Sequence, residues 1–443
     1  MSPGDDPVRT SAESRTGPRL RVPRLPASSR GSLAVLAGIL LILLLSTFML
    51  GWFGAENLGS ALTYTGRITG AILVAVSLTT LLGSAAAVDH WYRNSFTYSG
   101  MVALIAAIAA FVTNVLILLE TFKGDSTGYR VLWALLTAGS LWAALALWRT
   151  SVVIPAPKRV AAAVIVTSSI AVANFGYQHL YQPYQRGAKP LVKMVVGEPL
   201  LSQDGEAFSV PIDIRLENRS DVGFYVIGAE FHAMGERVPL SETDRLRAQW
   251  REDAEKWSKA NFFPETHPLA RWEIHQPGEL VAAHPWTFAG NWIEADDEFH
   301  TRTVVQLPID TEYDQLAFYA NVSLARKDRL GLENLVPVGN SWSGGKVPRW
   351  IQEGQKDIDS IIYRGRVHEN NAIADHTMDP RSLTLFWRFG PHGAGLVPMI
   401  RQKGEEDLVL TGAEDRALRN RYGLVDAGTG PFERTLWDVK SRR

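Results

Sequence analysis

Residues 32–53 read SLAVLAGILLILLLSTFMLGWF, 22 residues without one charge. Within them, Leu40-Leu41-Ile42-Leu43-Leu44-Leu45 leaves no polar face at either helical or strand period. At 1.5 Å per residue such a helix is about 33 Å long, enough to cross a hydrocarbon core of about 30 Å. The run is longer than the apolar core of a secretory signal, and no small-x-small cleavage site follows it. It therefore reads as a retained transmembrane helix.

Four further runs repeat the pattern: Ile68–Val88, Met101–Leu119, Val131–Trp148 and Val160–Leu180. The expectation is a bundle of about five transmembrane helices over residues 32–181. Residues 1–31, rich in Pro, Ser, Gly and Arg without apolar periodicity, read as a disordered arm. Basic residues set the orientation. Arg9, Arg15, Arg19, Arg21, Arg24, Arg30, Arg93, Arg149, Lys158 and Arg159 fall on one side, against Arg67, Lys123 and Arg130 on the other. The N-terminus is expected to be cytoplasmic in the cell membrane. An odd helix count then places everything after residue 182 outside, with Tyr177, Tyr181 and Tyr184 at the outer interface.

The helices carry small residues that let backbones approach, Ala103, Ala107 and Ala110 in the third and Ala161–Ala163 in the fifth. Asn114 and Asn174 are the deepest strongly polar groups, with Thr79 and Ser140, and interhelical hydrogen bonding is their commoner role. No Asp, Glu, Lys, Arg or His lies mid-helix. Ion- or proton-coupled transport usually needs such a group inside the membrane.

Past a short linker, 182–190, the period changes to two. Phe208, Val210, Ile212, Ile214 and Leu216 alternate with Ser209, Pro211, Asp213, Arg215 and Glu217, as a half-buried strand does. Leu316, Phe318, Ala320, Val322 and Leu324 repeat the pattern. Other strands are expected at 222–233 and near 191–200, 302–308, 359–368 and 382–389. Residues 191–443 are thus expected to form a β-rich soluble domain, an immunoglobulin-like sandwich with helical insertions. One insertion is read from Ser241 through Trp257. Another runs from the capping box of Thr411 and Glu414 to a stop at Gly423. Residues 331–357, rich in Gly, Pro and Ser, read as a long loop or a seam between subdomains.

Composition closes off several functions. A net charge of −1 offers no basic face for nucleic acid. The absence of cysteine removes disulfides, thiolate nucleophiles and Cys-ligated zinc or iron–sulfur sites. Gly339 to Lys346 resembles a phosphate loop, but its spacing is one residue off and Val347-Pro348 follows where Ser or Thr should bind magnesium and open a helix. Asp310-x-Glu312-x-Asp314 resembles the start of a calcium loop, but Gln315 stands in place of the required Gly. The stretch best able to hold chemistry is His368-Glu369-Asn370-Asn371-Ala372-Ile373-Ala374-Asp375-His376. His368, Glu369, Asp375 and His376 could ligate a metal or act as acid and base, but their spacing matches no zinc signature, and a polar turn leaving a strand explains them as well. No cofactor is expected. Of the nine Trp beyond residue 190, Trp342 and Trp350 are expected to be exposed and Trp387 to be core.

The expected function is a non-enzymatic, extracytoplasmic binding or interaction module on a multi-pass anchor. Its partners are the lipid bilayer and another envelope protein or a glycan. The alternatives are a membrane-anchored enzyme acting on an envelope substrate and a transporter or channel subunit. Reporter fusions after residues 125 and 300 should read external and those after 95 and 155 internal; a cytoplasmic signal at 300 would overturn the orientation.

Overall fold

The computed structural model describes residues 30–93, 95–122, 124–150, 189–237, 251, 255, 278–343, 347–354 and 357–441. Most of the N-terminal arm, the fifth apolar run, most of the linker and the Ser241–Trp257 helix lie outside the described residues. Four helices come first: α1 (Arg30–Ser60), α2 (Tyr64–Val88) continuing into a π-helical turn (Asp89–Arg93), α3 (Ser99–Thr121) and α4 (Thr127–Trp148). All four are long and apolar enough to cross a membrane. An antiparallel β-rich region follows, so the two-part expectation holds in outline.

The chain divides into two compact units. The first comprises Met1–Gly51, Val74–Val115 and Leu132–Ile165. Its core is lined by Leu36, Ile39, Leu43, Ala103, Ala107, Ala110, Ala143 and Leu147. The three alanines of α3 are fully buried, the small-residue face read from the sequence. At Gly83 of α2 an added Cβ would collide with Ala106 of α3, so these backbones approach where only hydrogen fits. Asn114 Nδ2 donates to Ser46 Oγ at 3.2 Å and Leu136 O at 3.4 Å, tying α3 to α1 and α4. Ser77 Oγ donates to Thr47 O at 2.8 Å, and the Thr47 and Thr80 hydroxyls lie 2.7 Å apart. Asn114 thus acts as interhelical glue; Asn174 lies outside the described residues.

The second unit comprises Trp52–Leu73, Leu116–Val131 and Val166–Arg443. It holds the tips of both helical hairpins together with three antiparallel sheets. In the first sheet, β3 (Ala207–Glu217) is flanked by β7 (Glu298–Pro308) on one edge and by β1 (Leu191–Val196) and β2 (Leu200–Leu201) on the other. The second runs β13 (Leu424–Thr435), β8 (Gln315–Arg326), β4 (Phe224–Glu236), β5 (Glu279–Thr287), with β6 (Trp292–Ile293) also on β4. The third runs β12 (Gly393–Gln402), β11 (Arg381–Gly390), β10 (Asp359–Glu369), β9 (Leu330–Asn340). Four short helices join them: α5 (Arg349–Gly354), α6 (Ala372–Thr377), α7 (Gly412–Tyr422) and α8 (Trp437–Lys440).

The second sheet is covered on both faces. One face meets the first sheet: Phe208, Val210, Ile212 and Ile214 of β3 pack with Phe224, Phe231 and Ala233 of β4 and Leu316, Phe318 and Leu324 of β8. Phe231 and Phe318 stack with ring centroids 6.2 Å apart. The other face meets the third sheet through Ile227, Ala325, Leu330, Val367, Leu383, Leu385 and Ile400. The sandwich expectation holds in that antiparallel sheets pack face to face, and among the described residues three sheets are stacked in this way. The alternating face of β8 was legible because it is apolar. The far face was not, because there β4 and β8 bury Glu230, His232 and Ser323, which read as solvent-facing.

Two further expectations change. Residues 331–357 are not one loop: β9 occupies their first part as an edge strand, and α5 packs Ile351 on Ile362, Phe386 and Met399 of the third sheet. Pro337 and the left-handed Asn334 (φ 49°) interrupt β9, devices that keep an edge strand from recruiting other strands. Trp350 is partly buried against that α5 cluster. The α7 reading holds in detail, with Thr411 accepting from the Glu414 N–H and Gly423 closing the helix at φ 62°. Phe231→Ala should cost about 3–5 kcal/mol through its cavity, whereas Val304→Ala, on an exposed position, should stay within about 0.5 kcal/mol. Thermal melts of the full chain in detergent, read on the β signal, check both; equal melting temperatures would contradict this core.

Candidate functional site

The 368–376 segment leaves β10, turns at Asn370-Asn371 and forms α6. Asn371 caps that helix by accepting from the Ala374 N–H at 2.8 Å. The simple polar turn expected there is thus a turn followed by a capped helix, with Ala372, Ile373, Ala374 and Thr377 buried. What buries them are the hairpin tips. Asn57 of α1 accepts the Ala372 N–H at 2.8 Å, satisfying a donor that the start of a helix leaves orphaned. Asp125 and Ser126, between α3 and α4, donate their backbone N–H groups to Thr377 O at 3.0 and 2.9 Å. Gly124 is required beside them, because an added Cβ would sit 2.7 Å from that same carbonyl. The Asp125 carboxylate accepts from Gln402 Nε2 at 3.1 Å and from the Asp379 N–H at 3.3 Å, with Arg381 3.8 Å away.

This geometry divides the four residues singled out in the sequence. His368 Nδ1 lies 3.1 Å from Asp375 Oδ2, and its Nε2 lies 3.0 Å from Glu333 Oε2 of β9. Asp375 also accepts the Glu369 N–H at 3.0 Å, and Glu369 accepts from the Tyr422 hydroxyl at 2.6 Å. His376 is engaged elsewhere: its Nε2 lies 2.9 Å from Glu56 of α1, and its ring meets Phe53 edge-on at 5.8 Å. Asp375 and Glu333 share His368, Glu369 bonds Tyr422 and Glu56 bonds His376, and among the described residues no group of three or more His, Asp and Glu side chains is placed to hold a metal ion. The arrangement joins β9, β10, α6 and α7 through side-chain hydrogen bonds.

Sequence reasoning missed Glu56, Asn57 and Asp125. Their one signal is that polar residues able to cap or accept end apolar runs where the chain must turn.

Partial burial alone would depress the His368 imidazole. Hydrogen bonds to Glu333 and Asp375 outweigh it and raise the ring above its ordinary value. The His368 bond in turn holds Glu333 below the usual carboxylate range. Burial, with the Glu369 charge beside it, pushes the Tyr422 phenol far above its ordinary value, so it donates to Glu369 at any physiological pH.

A second polar centre lies inside the stacked sheets. Glu230 of β4 is fully buried. It accepts from Asn321 Nδ2 at 2.6 Å and faces His232 Nδ1 at 3.0 Å, while Trp286 Nε1 donates to its backbone carbonyl at 3.1 Å. His232 stacks on Tyr319 at 4.6 Å. A buried carboxylate satisfied this fully fixes strand register more than it offers chemistry. On the surface, Trp342 is 58% exposed and meets Phe389 edge-on at 6.1 Å; Trp387, expected in the core, is half-buried and tilts against Phe389 at 5.6 Å. Trp292 is 61% exposed, with Lys327 5.5 Å above its ring.

No protein-family model matches the chain, and no curated protein sequence matches it. Among the solved structures that are similar in part are the following two. A structural-genomics target designated SoR45 is 9% identical over 31% of this chain and 74% of that one, with a TM-score of 0.17. Spo0M, a sporulation control protein from Bacillus subtilis, is 8% identical over 53% of this chain and 96% of that one, with a TM-score of 0.19. Scores of that size do not amount to a shared fold.

A raised folded-state pKa at His368 contributes stability that is fully present below the unfolded value of about 6.5 and is lost as pH rises through the folded value. The full chain should therefore lose more stability than His368→Gln between about pH 6 and 8, by under about 1 kcal/mol because the ring is 34% exposed and screened, read as a larger fall in melting temperature. Superimposable pH profiles for parent and variant would contradict the bridging role of His368.

Proposed function

We propose that this chain is a multi-pass membrane protein that displays its β-rich region at the extracytoplasmic surface as a non-enzymatic binding module, with another envelope protein or a glycan as partner. The observation that carries the reading is the shared unit of β-rich region and hairpin tips, 52–73 and 116–131. A domain hung on a linker alone needs no such contacts. Here Asn57, Glu56 and Asp125 each bond it directly.

Three features support the membrane and the orientation. Leu41, Phe48, Leu78, Leu82 and Leu135 are all more than half exposed on α1, α2 and α4, apolar surface that water would penalise and lipid tails would not. The tips sharing a unit with the β-rich region carry three basic residues, Arg67, Lys123 and Arg130, against the ten counted for the other side, as an external side requires. Among the described residues the buried Asn114, Ser46, Ser140 and Thr80, with the half-buried Thr47, bond across helices, which favours an anchor over a carrier.

For the module, the support is the exposed aromatic surface at Trp342 and Trp292. Aromatic side chains outside a core offer contact area at low entropic cost, and interfaces are enriched in them. A photo-crosslinking amino acid in intact cells tests the reading. Placed at Trp342 or Trp292 it should give a discrete adduct that is absent from the same probe at Asp310. Absence of any adduct from both aromatic positions would overturn the module reading.

A further inference from the structure

The segment between β12 and α7 is held at the same end of the third sheet as the hairpin tips. At its start, Gln402 donates to Asp125 between α3 and α4. At its end, Tyr422 donates to Glu369 beside α6, and Arg421 contacts Met378. Both ends of residues 402–422 are thus pinned beside the tips of helices that are long and apolar enough to cross a membrane.

The loop that begins there is braced from within. Glu405 accepts the Gln402 N–H at 3.2 Å, Glu406 accepts the Gly404 N–H at 2.8 Å, and Asp407 accepts the Arg349 N–H at 3.1 Å. Trp350 Nε1 adds a bond to Glu406 O at 3.5 Å. All three carboxylates are spent on backbone donors, and the next two residues are left outward: Leu408 is 53% exposed and Val409 76%. Lys403 and Arg416 are exposed on either side of them. In the tip facing this end, Phe122 is 64% and Leu119 58% exposed. An anchored loop whose acids are tied to backbone N–H groups, Asp407 remaining exposed beside Leu408, and whose large apolar residues and flanking cations turn outward has the composition of an interfacial membrane contact.

We infer that the 403–411 loop is a second membrane contact of this protein: Leu408 and Val409 enter the headgroup–acyl boundary of the leaflet at the hairpin tips, and Lys403 and Arg416 lie at the level of the lipid phosphates. The inference rests on the membrane reading above. It adds that the β-rich region touches lipid as well as helix tips. Its orientation on the bilayer is then fixed at two points, which leaves the opposite end, with the β7–β8 turn, facing away. β8 joins these ends, and 12 residues at about 3.3 Å each put them roughly 35–40 Å apart.

The cysteine-free sequence allows a clean test. Single cysteines Leu41→Cys, Leu408→Cys, Val409→Cys and Asp310→Cys are introduced into the full chain, labelled with an environment-sensitive fluorophore and reconstituted in nanodiscs with or without spin-labelled lipid. Position 41, mid-helix and 68% exposed, reports on the membrane reading itself. Expected is strong quenching at 41, quenching at 408 and 409 at least about twofold greater than at 310, and little at 310. Quenching at 41 with 408 and 409 matching 310 would overturn the loop contact and leave the transmembrane reading standing. That outcome would point to a protein partner for the two residues instead. No quenching at 41 would overturn the membrane reading and the inference with it.

Discussion

A pair of central strands, β4 and β8, with almost no solvent face organises the β-rich unit. β4 and β8 have apolar rows toward the first sheet and a mixed row toward the third, and from Val226 to Glu236 every residue of β4 is buried. Such strands cannot leave a polar group unpaired, because an unsatisfied buried donor or acceptor costs about 1–3 kcal/mol. The Glu230–His232–Asn321 group meets that demand in the middle of the sheet. It also makes register unforgiving. A slip of one residue would drive Glu230 into the phenylalanine row and turn Phe231 outward.

The stacking decides where everything else goes. The third sheet covers the far face of the second, so its own end carries Glu369, α6, Arg381 and Gln402. Of these, α6, Arg381 and Gln402 meet the hairpin tips. The bonds are short-range and individually modest, each net about 1 kcal/mol for typical hydrogen bonds. Their number and their dependence on Gly124, Asn57 and the Asn371 cap make the contact specific. The titratable groups of residues 368–376 bond across elements in three dimensions, to Glu333, to the Glu369 N–H and to Glu56, where helix ends and loop backbone would otherwise go unpaired.

The bundle obeys a different economy. Its core is alanine, glycine and leucine, packed closely enough that Gly83 faces Ala106 without room for a methyl group. In the bilayer proposed above, the hydrophobic effect would give helices no reason to associate, and close backbone approach with a few bonds such as Asn114 to Ser46 would carry the association.

The sequence by itself determined the two-part plan, because 22 uncharged residues from Ser32 and the strict alternation of β3 and β8 each admit one kind of element. It also determined the α7 cap, since a capping box and a C-terminal glycine are local chemistry. The third sheet and the role of residues 368–376 were decided only by tertiary structure. Buried polar residues such as Glu230 and Ser323 carry the same letters as exposed ones, and only the fold shows what covers them. The partners of His376, Ala372 and Gln402 lie about 250–320 positions away along the chain, at Glu56, Asn57 and Asp125. Periodicity reads what a residue needs from its neighbours in sequence; it is blind to a hydrogen bond whose other half is supplied by a different element brought close by packing.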